Sequence, residues 1–160
     1  MKLGSTMMWP TEGMENQRPG QAVDAPGTET AAAEIHVIFT TPEATRAALQ
    51  AAGTVAQCFK ARIHFLVPQV VPMGFPLTRP PVSVAFAEQR ALCLVYDCCI
   101  TAATSIQIVL CGNRGQCLEK MLRPNSLVII GSRKQWWRAT EQRLARQLRS
   151  RGHSVIHVLE

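Results

Sequence analysis

Five short runs of large apolar and β-branched residues recur along the chain, and they are nearly continuous in apolar character. A strand wetted on one face alternates apolar with polar residues; a strand covered on both faces does not. Residues 35–40, 63–67, 106–110, 126–130 and 155–159 therefore read as strands of a sheet with helices on both sides. The stretches between them carry helical signals. Thr41 is placed as an N-cap with Pro42 in the first helical position. Ala44, Ala47, Ala48, Ala51, Val55 and Cys58 follow at helical spacing, a stripe small enough to lie close on a sheet. Ser83 can cap a helix reaching about Cys99, although 92–96 could also be a strand. Residues 115–122 form a short helix stopped by Pro124. Residues 140–151 form another, with Leu144 and Leu148 inward and Gly152 closing it. The prolines of 68–81 exclude regular structure there. Strand and helix in strict alternation mean βαβ units, and right-handed crossovers turn these into a three-layer, doubly wound α/β fold with a parallel five-stranded sheet.

Residues 1–33 are rich in Gly, Pro, Thr, Glu and Gln and show no apolar period. They cannot bury enough surface to offset chain entropy, so a disordered N-terminal tail is expected before a folded domain over 34–160. The apolar content of 47% is enough for one core in a chain of 160 residues. No apolar run is long enough for a membrane span and no apolar segment opens the chain, so a cytoplasmic location without membrane contact is expected. Cys58, Cys93, Cys98, Cys99, Cys111 and Cys117 fall mostly inside apolar segments and read as reduced core thiols. No CxxC and no Cys–His ligand spacing occurs, so no metal and no cofactor is expected.

The net charge of +6 is concentrated in one place. Residues 133–151 hold Arg133, Lys134, Arg138, Arg143, Arg146, Arg149 and Arg151 against one acid, Glu141. Arg133, Lys134 and Arg138 flank Trp136 and Trp137. Cations beside indoles can grip a phosphate and stack a base, or the indoles can simply close the core and loop. Arg143, Arg146 and Arg149 form either the wet face of an amphipathic helix or a basic strip for nucleic acid or an acidic partner. Gly112 and Arg114, after the third strand, either present amides and a guanidinium to an anion or form a plain turn. No Ser-His-Asp set and no paired carboxylates are present.

Two stretches carry a family likeness. Ala61-Arg62-Ile63-His64-Phe65-Leu66-Val67-Pro68 is similar to the second strand of the universal stress protein family, which leads into a long variable loop. Asn125-Ser126-Leu127-Val128-Ile129-Ile130-Gly131-Ser132-Arg133 resembles that family's fourth strand and its glycine-serine-arginine exit. The resemblance spans roughly 34–159. It implies an adenine nucleotide alpha hydrolase-like sheet of strand order 3-2-1-4-5, with a ligand crevice between the ends of strands one and four. In the family's nucleotide-binding branch an aspartate follows the first strand, and G-x-x-G-(nine residues)-G-[ST] wraps the phosphates after the fourth. Thr40 and Thr41 stand where the aspartate is expected. Gly131 is present, but Lys134 replaces the second glycine, and Leu144 and Ala145 replace the final pair.

The first reading is a non-catalytic regulatory or stress-response domain of this type, and the departures from the glycine pattern, with Trp136 and Trp137 too bulky for a backbone cradle, argue against bound ATP. The resemblance also implies a homodimer through the last strand, with Val155, Ile156, Val158 and Leu159 at an edge that is either open to a second copy or covered by the N-terminal tail. A second reading is a small nucleotide- or phosphate-ligand-binding protein using Thr40, Thr41, Gly112, Arg114, Gly131, Ser132, Arg133, Lys134, Trp136 and Arg138. A third is a nucleic-acid accessory protein using the basic segment 133–151.

Overall fold

The computed structural model describes residues 33–78, 80–133 and 138–160 and, for Arg138, the backbone only. All of them lie in one compact unit, Ala31–Glu160. The expected tail falls outside the described residues except for Ala33, as do Lys134, Trp136 and Trp137.

Strands β1 (Glu34–Ile38), β2 (Arg62–Val70), β3 (Thr104–Cys111), β4 (Leu127–Ser132) and β5 (Ser154–Leu159) alternate with helices α1 (Pro42–Phe59), α2 (Val84–Asp97), α3 (Arg114–Met121) and α4 (Arg138–Ser150). Every strand pair is parallel, in the order β3-β2-β1-β4-β5. The polar residues that punctuate the sequence start the helices. Thr41, Ser83 and Asn113 each accept a hydrogen bond from the amide three residues on, satisfying a donor that the first turn leaves open. The stretch 92–96 is helix.

Two cores sandwich the sheet. Ile35, Val37, Ile63, Phe65 and Ile129 face α1 and α2, meeting Ala48, Leu49, Ala52, Ala91 and Leu94. Ile38, Leu66, Val128 and Ile130 face α3 and α4, meeting Leu118, Leu122, Leu144, Ala145 and Leu148. Side chains such as Phe65, Leu118 and Leu148 are wholly buried, each contributing about 1.5–3 kcal/mol through removal from water.

Three expectations need correction. The buried stripe of α1 is Ala44, Thr45, Ala48, Leu49, Ala52, Gly53 and Ala56. Ala47, Ala51 and Val55 are half-buried and Cys58 is exposed, because the small residues surround the helix and only Leu49 marks its inner face. The cysteines are not uniformly core: Cys58, Cys93 and Cys99 are exposed, Cys98 and Cys117 half-buried, and Cys111 alone is buried. Third, β2 runs through Pro68 to Val70. The amide of Arg62 donates toward β1 (Ala33 carbonyl, 2.8 Å) and that of Ile63 toward β3 (Ala103 carbonyl, 2.9 Å). Alternation aims the position of the missing Pro68 N–H at the β1 side, where β1 has already ended. No ladder bond is lost, and the proline sits as it would on an edge strand.

The ends of β1 and β4

The parallel order places the C-terminal ends of β1 and β4 side by side, where open α/β sheets bind ligands. Thr40, Thr41, Gly131, Ser132, Arg133 and Arg114 all come to this crossing. Their roles are set by one another more than by open space.

Helix α1 seats its first turn on β4. A Cβ added at Gly131 would lie 1.9 Å from the Ala44 carbonyl oxygen and 2.5 Å from its carbon. Glycine is required here because helix backbone touches strand backbone. The Thr40 hydroxyl donates to the Gly131 carbonyl at 2.9 Å, and the Thr40 amide donates to Thr45 Oγ1 at 3.0 Å. Thr41 is used as the helix cap, accepting from the Ala44 amide at 3.4 Å. The two threonines thus fasten α1 to the strand ends.

Arg133 is also engaged. Its guanidinium meets Glu43 in the first turn of α1 at 2.5 Å and lies 3.9 Å from Glu160 Oε2 after β5. The Glu43 carboxyl is held below its ordinary range, first by its own backbone amide at the helix start and then by Arg133. The pair is half-exposed and screened by solvent, so it adds little to stability. Its consequence is positional, since it draws α1, β4 and the residue after β5 together.

Arg114 opens α3, but its side chain turns back over the sheet and donates to the Phe39 carbonyl at the end of β1. Burial lowers its pKa, while Glu141 on α4 and Cys111 pull it back up. Arg114 Nε, Ser132 Oγ and Glu141 Oε2 are buried with no hydrogen-bond partner among the described residues. Gly112 plays no comparable part: it is exposed and a Cβ there meets nothing within 4 Å. Lys134, Trp136 and the Arg138 side chain lie outside the described residues.

Sequence reasoning missed Phe39, Glu43, Glu141 and Glu160 as members of this region. Glu141 had a signal, being the one acid in an otherwise basic run. The others are ordinary residues made relevant by contacts far apart in the chain. The basic strip takes a different place. Arg143, Arg146 and Arg149 are exposed along α4, Arg149 donates to the Val155 carbonyl at 2.9 Å, and Arg151 pairs with Glu119 at 3.3 Å. Among the described residues no group of three or more His, Cys, Asp or Glu is arranged to hold a metal ion, and no helix is long and apolar enough to cross a membrane.

No protein-family model and no curated protein sequence matches the chain. Solved structures do. A protein of the universal stress protein family from Burkholderia pseudomallei is 19% identical, with a TM-score of 0.53 over 79% of this chain and 95% of that one. The universal stress protein from Archaeoglobus fulgidus in complex with dAMP is 9% identical, with a TM-score of 0.53 over 79% and 97%. A universal stress protein in complex with cAMP is 11% identical, with a TM-score of 0.50 over 80% and 98%. At these identities the likeness is one of fold: the chain has a universal stress protein-like fold, with the strand order expected of it.

Proposed function

We propose that this universal stress protein-like domain is a non-catalytic regulatory or stress-response module that acts by binding partners as a homodimer and does not hold ATP at the β1–β4 crossing. One observation carries the reading. The glycine that would cradle a phosphate, Gly131, is already covered by the Ala44 carbonyl, and the cation beside it, Arg133, is paired with Glu43. A phosphate tail gripped by Arg133 would have to compete with Glu43 for it. Dimerisation draws support from β5, which among the described residues pairs only with β4 and leaves its outer edge open, with Ile156 and Leu159 exposed on it. Unpaired strand edges are templates for another chain. Light scattering after size-exclusion chromatography tests this part. The wild-type chain is expected at twice its monomer mass and Leu159→Lys at the monomer mass, whereas a monomeric wild type would refute the dimer.

A second reading has its own observation. Arg114 Nε, Ser132 Oγ and Glu141 Oε2 are buried donors and acceptors without a partner among the described residues near the strand ends, and buried polar groups ordinarily find partners. A small nucleotide is the ligand to try, because two fold neighbours are complexes with dAMP and cAMP. A thermal-shift series with AMP, dAMP and cAMP separates the readings: a saturable rise abolished by Arg114→Met supports the second, and flat melting curves support the first.

A further inference from the structure

The parallel register lines up side chains that the sequence keeps far apart. His36 on β1 is level with His64 on β2, and His64 is level with Ser105 on β3. Level residues of neighbouring strands share a face of the sheet, so the three stand in a row. The two imidazoles stack with centroids 5.2 Å apart, which limits how the His64 ring can turn. Its Nδ1 lies 2.8 Å from Ser105 Oγ, and its Nε2 lies 3.8 Å from Glu34 Oε1. Glu34 also pairs with Arg123 at 3.4 Å. Hydroxyl, imidazole and carboxylate thus follow one another in the order that activates a serine. Three strands supply them, so no spacing along the chain gathers them.

The carboxylate facing Nε2 favours the neutral ring that carries its proton there, and Nδ1 is then free to accept from the Ser105 hydroxyl. Ser105 is exposed, on a strand that ends the sheet. Ile63 is level with Thr104, and its amide donates to the Ala103 carbonyl at 2.9 Å. Alternation then turns the Ser105 and Gln107 amides toward β2 and the Thr104 and Ile106 amides toward the outer edge. The Ile106 amide, next in the chain to Ser105, can therefore donate to an oxygen that becomes negative beside it. Charge narrows the substrate. Glu34 disfavours an anion, and Arg123 is already paired with Glu34, so an uncharged group fits best.

We propose that Ser105 is a nucleophilic acyl acceptor for an uncharged, activated carboxylic ester, with His64 as its general base. Ser105 Oγ bonds to the ester carbonyl carbon while its proton passes to His64 Nδ1, and the Ile106 amide faces the developing oxyanion. The bond to the leaving-group oxygen then breaks, and that oxygen takes the proton from His64. The products are an acyl-serine and a free alcohol, with no other reactant consumed. One acyl group placed on the protein is a modification rather than a turnover, and it does not rest on the function proposed above.

The test treats the full chain with p-nitrophenyl acetate and times acetylation at each serine by peptide mass spectrometry. Ser150 is the internal reference. It is exposed too, and its hydroxyl donates to the Gln147 carbonyl at 2.7 Å, a group that cannot take up the proton. Ser105 is expected to react roughly a hundredfold faster than Ser150, the scale of general-base assistance. His64→Gln should remove most of that advantage, and Ser105→Ala should delete the fast site. A Ser105 that reacts no faster than Ser150 in the wild-type chain overturns the inference, and that comparison needs no variant to fold. So does a fast Ser105 whose rate survives His64→Gln.

Discussion

Replacing Gly131 with alanine separates two accounts of that residue. If it is a phosphate-cradling glycine, one methyl should affect ligand binding and leave stability nearly untouched. The structure predicts the reverse. The new Cβ would lie 1.9 Å from the Ala44 carbonyl oxygen, where an ordinary contact begins at 3.4 Å, so the first turn of α1 must retreat by about 1.5 Å. Both atoms are in backbone, and no side-chain rotation relieves the clash. Overpacking of this kind costs about 1–3 kcal/mol. The retreat also strains the Thr40–Gly131 hydrogen bond of 2.9 Å, for about another 1 kcal/mol. The sum, about 2–4 kcal/mol, is a large share of the roughly 5–15 kcal/mol that holds a domain together. At about 3–5 °C per kcal/mol for a domain of this size, melting should fall by roughly 6–20 °C. Circular dichroism melts and urea titrations of Gly131→Ala measure it, with Gly112→Ala as the control because nothing lies within 4 Å of its added carbon. A Gly131→Ala protein that melts within a degree of wild type would refute the reasoning.

Two further outcomes follow from buried titratable groups. His36 and His64 stack across β1 and β2 with ring centroids 5.2 Å apart, and burial, followed by the charge of His64, lowers the His36 pKa from its ordinary 6.5. The unfolded chain therefore takes up this proton first as pH falls, so stability should decline from about pH 6.5 down through the lower folded value. Urea titrations across that window should show a shallower decline in His36→Leu, and an unchanged slope would exclude His36 as the cause. Burial and the neighbouring Cys117 push the Cys111 thiol up to about 11, while Cys58, Cys93 and Cys99 are exposed. Ellman's reagent should modify those three quickly and Cys111 only on unfolding; fast labelling of Cys111, read by mass spectrometry, would contradict the burial.

The fold was legible because its signals are local. Continuous apolar runs mark strands covered on both faces, and Thr41, Ser83 and Gly152 carry their capping chemistry in their own side chains or backbone freedom. Where one-dimensional reading failed, a neighbouring strand or helix decided the matter. Pro68 is tolerated in β2 because β1 ends early, a fact about another segment. The alanine-rich α1 shows no single stripe until its packing partner is known. The site was half legible. Gly131, Thr40 and Arg133 were correctly gathered by topology, but the Ala44 carbonyl over Gly131 and the Arg133–Glu43 pair join residues about ninety positions apart. No spacing rule connects them.

The central claim is that the β1–β4 crossing, with α1 seated on Gly131 and Arg133 paired with Glu43, does not grip a phosphate tail. Isothermal titration of the full chain with magnesium ATP tests it most directly. The account predicts no saturable heat, and no rise in melting temperature at the highest ATP concentration used. Saturable binding that stabilises the fold by about 2.7 kcal/mol at a hundredfold excess over the dissociation constant, and that is lost in Gly131→Ala protein kept below its melting temperature, would contradict it.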